Sequence, residues 1–347
     1  MYRALRGKPV IDKKRSACLT VALGLSLILT AIESSAWPSS WPVKVHLKLA
    51  GGGSFISHGG GDLEMVRTGS TGYSERSYQY DHDSFDWQGV SRVPDWKAEV
   101  LVTFGRYFGA SLGLGRTALS TAGNFSTGDY YYGLRYTQLE VIEENSYRQE
   151  FRVSSYALQL NVYGFLPLGR FNVYIFAGPG YYFGNLSHEF SCDLYRYIDE
   201  RGFTPPWHHV HDSTVHEEIS EKAQDRALGF QGGIGLEFRV LPFVSLGFEA
   251  LIRRVNFNGW EGTFTRSGWS TDKNYEDSTG WVTTDDSWSQ TGEGSLWYCD
   301  LDLPHNLKIK TLSIAPDPPE GYSFDPTRRA EVNFHAFGLF LILKFHF

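Results

Sequence analysis

The chain has 347 residues, 41% of them apolar and 16% aromatic, with 37 Gly, 3 Cys, 2 Met and a formal net charge of -7. That charge argues against a nucleic-acid binder, the apolar content excludes repeated helical spans of about 20 apolar residues, and three cysteines cannot staple a disulfide-dense scaffold. A chain this rich in aromatics and glycine and this poor in methionine reads as many short strands rather than disorder.

The N-terminus reads as a secretory signal peptide. Arg3, Arg6, Lys8, Lys13, Lys14 and Arg15 precede an apolar run from Ala17 to Ile32, and Glu33-Ser34-Ser35-Ala36 follows with small residues where a signal peptidase reads. Cleavage after Ala36 would start the mature domain at Trp37, so residues 1–36 are a leader and 37–347 a single barrel domain. An uncleaved anchor is the rival, but the run is short for a bilayer span. The leader carries six basic and two acidic residues, which leaves 26 basic against 37 acidic and only Cys192 and Cys299. An acidic exported chain with two cysteines suits an oxidising compartment.

Beyond the leader the apolar period is two. Val43, Val45, Leu47 and Leu49 alternate with Lys44, His46 and Lys48; Ala98, Val100, Val102 and Phe104 alternate with Lys97, Glu99 and Thr103. The same alternation places Leu228, Phe230, Ile234, Leu236 and Phe238 on one face, and Val244, Leu246, Phe248, Ala250 and Ile252 on another. Eight strands are predicted, near 43–57, 96–104, 108–119, 150–166, 170–188, 226–239, 243–257 and 331–347. Most have the roughly 9–11 residues a tilted strand needs to cross a bilayer. Three connections are very short: Gly105-Arg106-Tyr107, Pro167-Leu168-Gly169 and Val240-Leu241-Pro242. They alternate with four long polar loops near 58–95, 120–149, 189–225 and 258–330. Short turns at one end and long loops at the other predict an all-β fold: a transmembrane, antiparallel up-and-down β-barrel of eight strands with four long extracellular loops. A soluble sandwich would spread its loops more evenly. A ten-strand barrel is the alternative, because Leu296–Leu303 and Leu307–Ile314 partly alternate about Pro304-His305-Asn306.

The last segment carries the sharpest pattern. Phe337, Leu339, Leu341, Leu343, Phe345 and Phe347 share one face, and Phe347 is the final residue. This strand resembles the C-terminal insertion signal of bacterial outer-membrane barrels, and with the leader and the strand number the chain resembles the small barrels of the OmpA-transmembrane, OmpX and OmpW type. The resemblance implies a bacterial outer-membrane location, outer-membrane lipid and lipopolysaccharide as surroundings, and the barrel assembly machinery as a partner during biogenesis. Hydrocarbon leaves no strand edge unpaired, so the first and last strands should meet. Tyr107, Phe108, Phe165, Phe171 and Phe243 near the turns, and Tyr181, Tyr182 and Phe183 near a loop, are candidates for interfacial girdles.

The inward set contains Lys44, Lys48, Glu99, Gln159, Asn161, Glu237, Arg239, Glu249, Arg253, Lys344 and His346. Both signs occur, so paired charges can fill the interior of a small barrel. A gated polar pore is the other reading, and inward Tyr163, Phe340 and Ile342 leave room for an apolar pocket.

Three clusters invite chemistry. His208, His209, His211, His216, Glu217 and Glu218 are potential metal ligands, but their spacing matches no fixed site. Asp81, Asp83 and Asp86 could share calcium but lack the glycine and closing glutamate of a hand-type loop. His211-Asp212-Ser213 lacks an evident orienter for a hydrolase. The expectation is therefore no catalytic, metal or cofactor residues and no nucleic-acid partner. The role expected is structural or surface-interactive, with a narrow channel for amphipathic or apolar solutes second and a barrel-embedded lipid enzyme third. Cys192 and Cys299 fall in neighbouring loops of the eight-strand reading, so a disulfide is possible. In the ten-strand reading Trp297, Cys299, Leu301 and Leu303 would face lipid instead.

Overall fold

The computed structural model describes residues 42–56, 80–87, 93–134, 137–202, 208–276, 279–303, 307–319 and 327–347. The leader with its Ala36–Trp37 junction and the Pro304–Asn306 turn lie outside the described residues.

Every described element is a strand: β1 (Val43–Ile56), β2 (Tyr80–Trp87), β3 (Val93–Phe104), β4 (Phe108–Leu134), β5 (Thr137–Leu168), β6 (Phe171–Gly202), β7 (His208–Leu241), β8 (Val244–Phe257), β9 (Glu261–Glu276), β10 (Gly280–Leu303), β11 (Leu307–Ala315), β12 (Arg328–Arg329), β13 (Val332–Asn333) and β14 (Ala336–His346). They form one sheet. Pairing runs β1–β3–β4–β5–β6–β7–β8–β14, and β14 pairs back onto β1, so this wall has no free edge. The seam joins Leu47 to Phe345 and Phe55 to Phe337. Gly105 and Gly169 take positive φ of 68° and 65° in the tight turns, a conformation glycine adopts without a Cβ clash. The other short turn is Pro242-Phe243, so β5 and β7 each run about two residues further than predicted.

Alternation along the strands reverses polarity partway up. Near the short turns, apolar side chains point outward and polar ones inward. On β5, Leu158, Leu160 and Val162 are exposed, while Ser155, Gln159 and Asn161 are buried. Further along the same strand Arg148 and Arg152 point outward, and Tyr147, Phe151 and Val153 are buried. β6 reverses likewise, from exposed Ile175, Tyr181 and Phe183 to buried Leu186, Phe190 and Cys192.

This reversal corrects the predicted loops. Much of 120–149, 189–225 and 258–330 is strand: β4 and β5 pair as far as Leu134–Gln138, β6 and β7 as far as Arg201–His208, and β9, β10 and β11 extend the sheet beyond β7. The period of two continues there, but with the apolar phase turned inward, so a search for outward apolar residues ends too early. The β10–β11 hairpin does form, yet it pairs with β9 and β12 rather than entering the wall between β8 and β14. Trp297 and Cys299 are buried instead of facing outward.

Glycines in the wall make room for inward rings. A Cβ at Gly235 would collide with the Tyr174 ring, and one at Gly52 with the β14 backbone at Leu339. Close backbone approach and side-chain packing explain these positions.

Candidate functional site

The interior is the candidate site, and it is built from three layers. The lowest holds Lys344, whose ammonium lies 2.9 Å from Glu237 and 5.2 Å from the centre of the Phe165 ring. Above it, β1, β3, β5, β6 and β8 each contribute to one buried cluster. Lys48 and Lys97 both bond Glu249, Lys97 is 3.2 Å from Glu99, and Lys48 is 3.9 Å from Glu99. Tyr174 donates to Glu249 at 2.8 Å, Tyr163 donates to Glu99, and Lys48 donates to the Tyr163 oxygen at 3.1 Å. Two ammonium and two carboxylate groups balance, and the phenols take lone pairs that would otherwise be stranded, which meets the condition for burying charge. Lys97 also sits 4.6 Å from the Phe176 ring centre. At the upper side of this same charged layer, Arg253 pairs with Asp95 at 3.0 Å, and Ser54 donates to the same carboxylate at 2.7 Å.

The third layer is apolar and comes largely from the expected last loop. Leu296, Tyr298, Leu312, Ile314, Ala330, Val332 and Phe334 pack inside the sheet against Phe151, Val153, Tyr182, Leu186, Phe257 and Trp260. The end of β10 from Ser295, with β11, β12 and β13, thus folds back as a cap. A buried polar cluster fastens it. Glu221 on β7 accepts from the Ile314 N–H at 2.8 Å, the Ser313 hydroxyl at 3.1 Å and His188 Nδ1 at 2.7 Å. Gln149 donates to Thr311 at 2.7 Å and meets His188 Nε2 at 3.0 Å. With Gln149 donating, Nε2 accepts and Nδ1 carries the proton toward Glu221, so the partners assign the tautomer.

Of the predicted lumen charges, Lys48, Glu99, Glu237, Glu249, Arg253 and Lys344 are buried together with Gln159 and Asn161. Lys44 and Arg239 share faces with buried Lys48 and Glu237 but lie exposed at the short-turn end, beyond the last packed layer. Tyr163, Phe340 and Ile342 pack with Leu101, Tyr174 and Phe176 in one buried cluster. Phe165 and Tyr182 turn inward and leave the expected girdle, whereas Tyr107, Phe108, Phe171, Tyr181, Phe183 and Phe243 are exposed as expected. The odd face of β14, from Phe337 to Leu341, is exposed, and Phe347 donates its N–H to the Val45 carbonyl at 3.1 Å. Sequence reasoning missed Lys97, Asp95 and the cluster of Gln149, His188 and Glu221. The period-two phase could have found the first two. Gln149 and Glu221 lie in segments read as loops, and His188 is the last residue of a predicted strand.

The histidines do not converge. His208 bonds Asp199 at 3.0 Å, His211 bonds Asn274 at 2.7 Å, and His216 bonds Asp193 at 2.6 Å. Among the described residues no three His, Cys, Asp or Glu side chains gather as a metal site. Burial works to raise the Asp199 carboxyl, but its bonds to Arg201 and His208 outweigh that and hold it below its ordinary range. Asp81, Asp83 and Asp86 lie on β2, in register with Asp129, Thr127 and Asn124. Cys192 and Cys299 are both buried thiols, not joined to each other, the first opposite Tyr147 on β5 and the second opposite Thr311 on β11. Burial, with the charges of Glu217 and Asp193, pushes the Cys192 thiol up to about 12.

No protein-family model matches the chain, and no curated protein does. Among solved structures, it is similar to a major outer membrane protein from Thermus thermophilus, at 14% identity and a TM-score of 0.29, over 88% of this chain and 99% of that one. It is also similar to the outer membrane protease OmpT from Escherichia coli, at 11% identity and a TM-score of 0.28, over 89% and 97%. Likeness this slight carries no argument about activity.

Proposed function

We propose that this chain is a bacterial outer-membrane β-barrel whose wall is eight strands (β1, β3–β8 and β14). Its role is structural or surface-interactive and non-catalytic. The wall holds its polar side chains inside and presents exposed Leu160, Ile175, Ile234, Phe248, Ile252 and Leu341 outside, which is the arrangement a hydrocarbon solvent demands. On this reading the odd face of β14 is the surface that the assembly machinery handles, and the upper sheet of β4–β7, β9 and β10 stands outside the membrane as the interactive surface.

The observation that carries the reading is the filled lumen, with stacked ion pairs below and the cap above. A barrel of this size is filled by its own side chains. Conductance across a planar bilayer tests it. The refolded protein should insert without unitary steps. Steady single-channel currents from the wild-type chain would overturn the occluded barrel in favour of a narrow channel.

A further inference from the structure

The outer face of the upper sheet carries an ordered lattice that the occluded barrel does not explain. Strand register sets its rows. Leu114, Leu158, Tyr181 and Leu228 stand side by side on β4 to β7, all exposed. One step up, the row reads Arg116, Tyr156, Phe183, Arg226. The next reads Ala118, Ser154, Asn185, Gln224, Glu261, and the one above it Ser120, Arg152, Ser187, Lys222, Thr263. Apolar surface therefore gives way to an aromatic pair flanked by two arginines. Hydroxyl and amide groups follow, and then two more cations. A groove of about 1020 Å³ runs over the upper two rows and reaches down to Arg116; Arg152, Lys222, Ser154 and Ser187 are among its lining, while Arg226 and the apolar row border it from below.

The cations are available. Among the described residues, Arg116, Lys222 and Arg226 make no ion pair, and Arg116 lies over the Tyr156 ring at 5.5 Å. Arg152 is held through Nε by Glu150 at 2.7 Å. The acids sit at the margins: Glu150 and Glu189 share the row farther from the apolar band, and Glu261 lies at the β9 side. Rows are roughly 7 Å apart and strands roughly 5 Å apart, so the four cations frame a patch about as large as a phosphorylated disaccharide.

We propose that this groove binds the phosphorylated sugar headgroup of an outer-leaflet glycolipid. Arg116, Arg152 and Lys222 in the groove, with Arg226 at its lower border, take its phosphates, the Ser154–Asn185–Gln224 row takes its hydroxyls, and its acyl chains lie on the apolar row beneath. Guanidinium groups suit phosphate because their donors match its oxygens in a fork. The apolar row directly below distinguishes a lipid headgroup from a free anion, which would have no use for it. The proposal rests on the outer-membrane reading, since it needs the apolar band to sit in lipid.

The test uses the full chain refolded in dodecyl maltoside and measures binding of bisphosphorylated lipid A, the same lipid with its phosphates removed, and inorganic phosphate. Wild type should prefer the phosphorylated lipid at least tenfold over the dephosphorylated one, with affinity falling as salt rises. A triple Arg116→Ala, Arg152→Ala, Lys222→Ala variant should lose at least tenfold, while Arg254→Ala, on β8 away from the groove, should bind as wild type. These positions are exposed, and heat-modifiable migration confirms that each variant is folded. Equal binding of both lipids, an unaffected triple variant, or inorganic phosphate binding as tightly as the lipid would each overturn the proposal. Insertion into phosphatidylcholine vesicles is scored separately. Failure there sinks the barrel reading, whereas lost headgroup selectivity with insertion intact sinks only this site.

Discussion

Glu249 accepts from Lys48, Lys97 and Tyr174 at once, and its side chain is fully enclosed. Removing one member of such a group costs more than the group contributes, because the partners stay buried without a counter-charge. Glu249→Gln should therefore lower stability by about 3–5 kcal/mol, read from urea unfolding in phospholipid vesicles, and Lys97→Met in the same chain should recover part of the loss. An unchanged midpoint for the single variant would show that the cluster holds no strands together. His216 gives a second case, on the upper part of β7. Its hydrogen bond to Asp193, helped by Glu218 at 3.4 Å, raises its pKa above the ordinary 6.5. A raised folded value means the clasp contributes fully below pH 6.5 and is lost as pH rises through the folded value. Proton titration of the ring by NMR should place its midpoint above 6.5, and Asp193→Asn should bring it down. A midpoint at or below 6.5 in the wild-type chain would remove the clasp.

At the scale of elements, the cap is the part with a separable stability. Leu312 has no exposed surface and sits among Phe334, Ile314 and Leu296. Leu312→Ala should cost about 2–5 kcal/mol, expressed as faster proteolysis within 295–336 while the wall fragment stays protected. Uniform sensitivity along the chain would mean that cap and wall unfold as one. The cap also marks where sequence reading stopped. The strands near the short turns were legible because Leu246, Phe248 and Ile252 alternate without interruption against Ser245, Glu249 and Arg253. The extensions of β4 to β7 were not, because Tyr147, Phe190, Cys192 and Val210 carry the apolar phase on the opposite face among many polar neighbours. Lumen charges such as Glu237 and Lys344 could be named from phase alone. The polar fastening of Glu221 could not, since its partners Ser313 and Ile314 lie more than 90 residues away and only pairing brings them together.

The whole molecule stacks two interiors of opposite character inside one continuous sheet, charged below and apolar above. The seam that closes the wall joins His46 to His346. Chain between those partners spans nearly all of the described structure, and the cap segment lies between β8 and β14 in sequence. Neighbouring strands β4 to β7 meet through hairpins with little loop entropy to overcome, whereas the β1–β14 contact must wait for the longest closure. On the barrel reading, the sheet is therefore expected to keep two unsatisfied edges until its last strand arrives. The cap has to be drawn into the mouth before or as that gap shuts, which makes closure, and not strand formation, the slow and vulnerable moment in the life of this protein.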